Sequence, residues 1–179
     1  MTVVYTYNDF PAGATESQIP ASGNDGRGIK VVNTSSILYN KTPSNFECPY
    51  SASVDGTYTY TVGITNGTTN QYSKTNSYSF SGSGTFSVDI SDNTHAMQAG
   101  DGIFLHINSS NVTLTRATWS SEAASYDAGN TIRHNYMSSG SETGSNETTS
   151  DMKYIIEDGA SPVTSSPTLQ PPPPAFVRF

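Results

Sequence analysis

Apolar residues along this chain recur every second position in short runs. The clearest run spans Thr57 to Thr65. There Tyr58, Tyr60, Val62 and Ile64 share one face, and Thr57, Thr59, Thr61 and Thr65 share the other. Alternation of period two is the pattern of a half-buried antiparallel strand. Asn66-Gly67 closes the run with a hairpin-type turn dipeptide. Further strands are predicted at Thr2 to Tyr7, Gly28 to Asn33, Ser77 to Ser81 and Thr85 to Ile90. After the turn Ala99-Gly100-Asp101-Gly102, Ile103, Leu105 and Ile107 alternate against Phe104, His106 and Asn108. Val112 and Leu114 alternate next, and Thr131 to Met137 and Met152 to Ile156 complete the set. Ser36 to Tyr39 is a short additional candidate. Helical periodicity is nearly absent, the nearest stretch being Ser120 to Ala128. Many short strands joined by Gly/Asn/Ser turns predict an all-β chain, an antiparallel β-sandwich or jelly roll.

Two segments fall outside that pattern. Residues 138–150 contain no apolar side chain and read as a Ser/Gly/Thr-rich loop. Residues 160–179 are rich in Pro and Ser, with Pro171 to Pro174 forming a stiff polyproline II rod. The expected organisation is therefore a sandwich core over 1–137, the loop over 138–150, a late strand over 151–159 and an extended Pro-rich C-terminal tail over 160–179. The tail carries Ala-Phe-Val-Arg-Phe. Phe176, Val177 and Phe179 read as apolar anchors on a spacer, able to dock on another subunit.

Composition narrows the function. Ser, Thr and Asn make up about a third of the chain, while only 34% of residues are hydrophobic and 13% charged. The net charge of -7 argues against nucleic-acid binding, which needs a basic face. No run approaches the length of a membrane span. The first residues lack the basic and apolar regions of a secretory signal. The sequons at Asn33, Asn40, Asn66, Asn108, Asn111 and Asn146 are little more than a chain this rich in Asn, Ser and Thr produces by chance. Synthesis in a reducing cytosol is expected, and Cys48, the one cysteine, has no intrachain disulfide partner.

Candidate chemistry is sparse. His95, His106 and His134 show no metal-ligand spacing, and His106 falls on the strand face opposite Ile103 and Leu105, which reads as surface or interface. Asp89, Asp92 and Asp101 flank one hairpin. Calcium could use such carboxylates, although turns select Asp for their own geometry, so no cofactor is expected. Cys48 has no basic neighbour to activate its thiol. Neither a nucleophile elbow nor an assignable carboxylate pair appears, so the chain reads as non-enzymatic, with an uncharacterised hydrolase the remotest option. Aromatic rings suit the apolar faces of sugars. Trp119, Tyr126 and Tyr136 are the candidates for glycan contact.

The block from Tyr78 to Leu114 runs Ser-Gly-Thr-Phe-Ser-Val-Asp-Ile, then Gln98-Ala99-Gly100-Asp101-Gly102-Ile103-Phe104-Leu105-His106-Ile107. It resembles the strand, Gly-Asp turn, strand unit of jelly-roll domains, among them complement-like trimeric heads and phage fibre, tail and capsid-decoration domains. Asp55-Gly56-Thr57-Tyr58-Thr59-Tyr60-Thr61-Val62 is similar to the strand that precedes this unit in phage proteins. The resemblance covers about a third of the chain. It implies a structural, non-catalytic part of a virion, assembled in the host cytoplasm and contacting other virion subunits, with a homotrimer favoured. A carbohydrate-binding module or receptor-binding head, reading a host surface glycan, is the alternative.

Overall fold

The computed structural model describes residues 1–6, 13–22, 26–119, 131–136, 142–147 and 150–159. Among them are thirteen strands and no helix: β1 (Thr2–Thr6), β2 (Thr15–Pro20), β3 (Gly26–Val31), β4 (Pro43–Ala52), β5 (Gly56–Asn66), β6 (Thr69–Phe80), β7 (Ser83–Asp89), β8 (Asp101–Ile107), β9 (Val112–Thr118), β10 (Thr131–Tyr136), β11 (Glu142–Glu147), β12 (Ser150–Met152) and β13 (Ile155–Asp158). They form two antiparallel sheets, a β-sandwich.

The six-stranded sheet runs β11-β10-β3-β8-β5-β6. In the seven-stranded sheet β4 is central. It pairs with β7 along one edge, and along the other with β13 near its start and β9 near its end. Outside these lie β1 on β13, and β2 and β12 on β9. Strands β2 to β9 pair in nested fashion outward from a tight hairpin: β5 with β6, β4 with β7, β3 with β8, β2 with β9. Members of successive pairs alternate between the two sheets.

The alternating residues dictate this arrangement. Val62 and Ile64 on β5, and Ile103, Leu105 and Ile107 on β8, are fully buried and face the other sheet's Phe46, Phe86 and Leu114. Between β6 and β7 the chain crosses from one sheet to the other in two residues. Gly82 takes a left-handed φ of 51° there, a conformation that other residues adopt at a cost. Asp55 holds this corner: Ser81 Oγ donates to it at 2.7 Å and the Gly82 N–H at 3.0 Å. Phe80 and Phe86, on either side of the corner, stack at 5.9 Å, with Tyr50 edge-on to Phe80 and Tyr60 edge-on to Phe86.

Several expectations need correction. Ser36 to Tyr39 is no strand but a pair of hydrogen-bonded turns, Ser36 N–H to Asn33 O and Tyr39 N–H to Ser36 O, which bury Leu38. Residues 142–147, inside the stretch expected to be a loop, pair with β10 as β11. The late strand is split, because β12 lies along β9 and β13 along β4, with Tyr154 buried between them. The sandwich thus extends past residue 137, through β13. The helical candidate at 120–128 and the tail at 160–179 lie outside the described residues. No helix among the described residues is long and apolar enough to cross a membrane.

Candidate functional site

The most constrained polar group lies where the β7–β8 connector meets the β5–β6 turn. Asp101 opens β8 and is buried, its side chain 2% exposed. Its Oδ2 accepts the Gln98 N–H at 2.6 Å and stands 2.6 Å from His95 Nε2, and its Oδ1 accepts Asn66 Nδ2 at 3.0 Å. A buried carboxylate needs such partners, since an unpaired charge in the interior is costly. Asn93, itself buried, reinforces the connector by accepting the His95 N–H and donating to Pro43 O. The His95–Asp101 pair is largely enclosed, the ring 25% exposed and the carboxylate 2%. It is a clasp that ties the connector to the hairpin turn.

A second polar group closes the side of the sandwich where β6 and β7 are both edge strands. Lys74 points inward from β6 and donates to Asp89 O at 2.7 Å and to Asp92 at 3.3 Å. Tyr72 OH donates to Asp92 at 2.7 Å. These bonds hold the Asp92 carboxyl below its ordinary range, led by the Tyr72 hydroxyl. Burial, then the Asp92 contact, pushes the Tyr72 phenol up. An inward-facing lysine on an edge strand discourages pairing with another chain. Asp89 caps the Ser91 N–H. The three aspartates considered for calcium therefore face different partners, and no group of three or more His, Cys, Asp or Glu suited to a metal occurs among the described residues.

The other residues singled out in the sequence are placed as follows. Trp119 follows β9 directly and is half-buried. Tyr136 ends β10, its backbone paired with Gly26 and Glu142. Tyr126 lies outside the described residues, as do Phe176, Val177 and Phe179. Trp119 and Tyr136 thus stand just past or at a strand end. Tyr50, Tyr60, Tyr78 and Phe80 instead turn inward into one cluster. His106 is 5% exposed, not a surface residue. It shares the outer face of β8 with Phe104, which is also buried, so this strand is enclosed on both faces. Burial, reinforced by Glu47, drives the Cys48 thiol far above its ordinary range, which leaves it chemically quiet.

The remaining candidate surface is the set of sheet edges. Among the described residues β1 pairs with β13 alone, β2 with β9 alone, β6 with β5 alone and β7 with β4 alone. The edges differ in what guards them. Strand β2 ends in Pro20, and its Glu16 accepts a bond from Lys153 at 2.7 Å. Lys74 covers β6 and the Asp89 end of β7. Strand β1, Thr-Val-Val-Tyr-Thr, has neither charge nor proline, and Val3 is 51% exposed. Alternation in the sequence revealed most of these strands but could not say which would stand at an edge. In comparisons with known proteins, the chain matches no family model, no curated protein and no solved structure.

Proposed function

We propose that this chain is a non-enzymatic structural component of a virion, a capsid-decoration or tail-associated jelly roll that docks on a neighbouring subunit. The observation that carries the reading is the nested pairing of β2 to β9, with successive pairs alternating between two sheets. Nested pairing of this kind supports a jelly-roll reading, an architecture found in viral capsid and lectin domains. Fold alone does not dictate function. Three further points favour a structural role. The resemblance over Tyr78 to Leu114 is to jelly-roll domains that include phage fibre, tail and capsid-decoration domains alongside complement-like trimeric heads. The polar clusters described above brace connectors and edges. Among the described residues the sandwich has edge strands, which symmetric partners can cover. The Pro-rich tail, with Phe176, Val177 and Phe179, supplies an arm that reaches a neighbour and raises effective concentration without enlarging the body.

Light scattering on a sizing column tests this. A homo-oligomer is expected, with a trimer at three times the 19.1 kDa chain mass favoured. A species of 19.1 kDa at all concentrations overturns the docking reading. A glycan-binding head is the second reading, kept open by Trp119, which is not fully enclosed. It requires a glycan that shifts tryptophan fluorescence in the wild type and loses binding in Trp119→Ala.

A further inference from the structure

We propose that Asn66 is a self-modification site, where the adjoining backbone nitrogen and water convert the side-chain amide to a carboxyl group and so open the Asp101 clasp. The inference stands apart from the docking reading. Of the chain's asparagines only Asn66 is followed by glycine, and a residue without Cβ leaves its own nitrogen open to close approach. Asn66 is exposed at the end of β5, and Gly67 turns the chain with a left-handed φ of 59°. A Cβ built on Gly67 meets nothing within 4 Å beyond its chain neighbours, so the turn is uncrowded. The reaction needs only water. The Gly67 nitrogen gives up its proton and bonds to Asn66 Cγ. The Cγ–Nδ2 bond breaks, and the amide nitrogen leaves as ammonia with that proton. Water then opens the succinimide ring at one carbonyl or the other, which leaves an aspartyl or an isoaspartyl residue at position 66.

The fold places this amide where its loss has consequences. Asn66 and Asp101 are register partners across β5 and β8, and Asn66 Nδ2 donates to Asp101 Oδ1 at 3.0 Å. Gly100 takes a left-handed φ of 95°, and a Cβ built there would stand 2.9 Å from Asn66 Nδ2, so the amide packs on the last turn of the connector. The other Asp101 oxygen is held by the Gln98 N–H and the His95 ring, with the carboxylate 2% exposed. Conversion puts a carboxylate where an amide had donated, and like charges at this distance repel. An isoaspartyl product also lengthens the main chain by one methylene, which breaks the register of the Asn66–Thr69 pair. Either product parts the hairpin turn from the connector. Because ammonia has left, the change runs one way, and the clasp records the age of the chain.

Peptide mass mapping of the full-length chain, held in warm, mildly alkaline buffer and sampled over days, tests the assignment, with an isoaspartyl-specific methyl label to mark that product. Conversion is expected at position 66 ahead of every other asparagine. Asn66→Gln keeps an amide donor but closes the larger ring far more slowly, and is expected to lose the signal there. The converted fraction, separated by anion exchange, is expected to melt about 3–10 °C below fresh protein through loss of a hydrogen bond to a buried carboxylate. Amide exchange over residues 93–100 is expected to quicken in that fraction. Asn66→Asp, made directly, is expected to show the same two changes. Conversion no faster at position 66 than at other asparagines, or a signal there that survives in Asn66→Gln, overturns the site. Conversion at position 66 with melting and exchange unchanged overturns its link to the clasp, as does an Asn66→Asp chain that melts and exchanges like wild type.

Discussion

A methyl group on Gly63 would collide with the ring of Phe104. Gly63 lies on the outer face of β5, where its strand neighbours are the threonines Thr61 and Thr65. Its partner across the ladder on β8 is Phe104. A Cβ built on Gly63 stands 2.6 Å from Phe104 Cε1, 2.7 Å from Cζ and 3.0 Å from the Tyr72 carbonyl oxygen. Phe104 is 1% exposed, so the ring has little room to withdraw. Forcing extra volume into a packed site costs about 1–3 kcal/mol, against about 0.5–1 kcal/mol gained when a strand glycine becomes alanine. Gly63→Ala should therefore lose about 1–2 kcal/mol, a fall of roughly 2–8 °C in melting temperature for a chain of this size. A double-mutant cycle isolates the contact. In a Phe104→Ala background the clash is gone, and Gly63→Ala should become neutral or stabilising by up to about 1 kcal/mol. Thermal unfolding followed by circular dichroism reads all four chains. A Gly63→Ala chain as stable as wild type, or one equally weakened in both backgrounds, would refute the argument.

Three other predictions follow from the polar groups and the buried thiol. Asp101→Ala strands the donors of Gln98, Asn66 and His95 and should cost about 2–4 kcal/mol; an unmoved urea midpoint would show that the clasp is not structural. Native protein should resist alkylation at Cys48 at pH 8 and label fully in denaturant, and rapid native labelling would contradict its burial. Hydrogen bonds hold Asp55, Asp89 and Asp92 below their ordinary range, from Ser81, Ser91 and Tyr72 respectively. The unfolded chain then takes up protons at a pH where the folded chain does not, so stability present above about pH 4 is lost as the pH falls. Melting temperature should hold from pH 7 to about pH 5 and drop below about pH 4, with a shallower acid limb in Asp55→Asn; an identical limb in that variant would remove the corner carboxylate from the account.

The local pattern was enough to reveal β5, β7, β8 and β9, because a strand with one buried face must alternate and these do. The turns at Asn66-Gly67 and Gly100-Asp101 were legible for a similar reason. Gly67 takes a φ of 59°, which glycine adopts without strain. Strand β4 was not legible, although Phe46, Cys48 and Tyr50 alternate and are all buried. Pro43 and Pro49 mask it, since proline argues against a central strand. Pro49 is tolerated because it falls where β13 has ended and β9 has not begun, so on that side a missing N–H forfeits no ladder bond. Strand β2 is also missed, because an edge strand that is mostly exposed has little alternation to show.

The candidate sites divide in the same way. The sequence itself determined the all-β character, the strand faces and the absence of a locally activated thiol at Cys48. Those properties depend on neighbours along the chain. Only the tertiary structure decided that Asp101 is buried against His95, Gln98 and Asn66, that Phe104 and His106 are enclosed on the outer face of β8, and that β1 lies along β13. Each of these depends on which distant strand lies alongside, and that is decided by how two sheets bury their apolar faces against each other rather than by any local pattern.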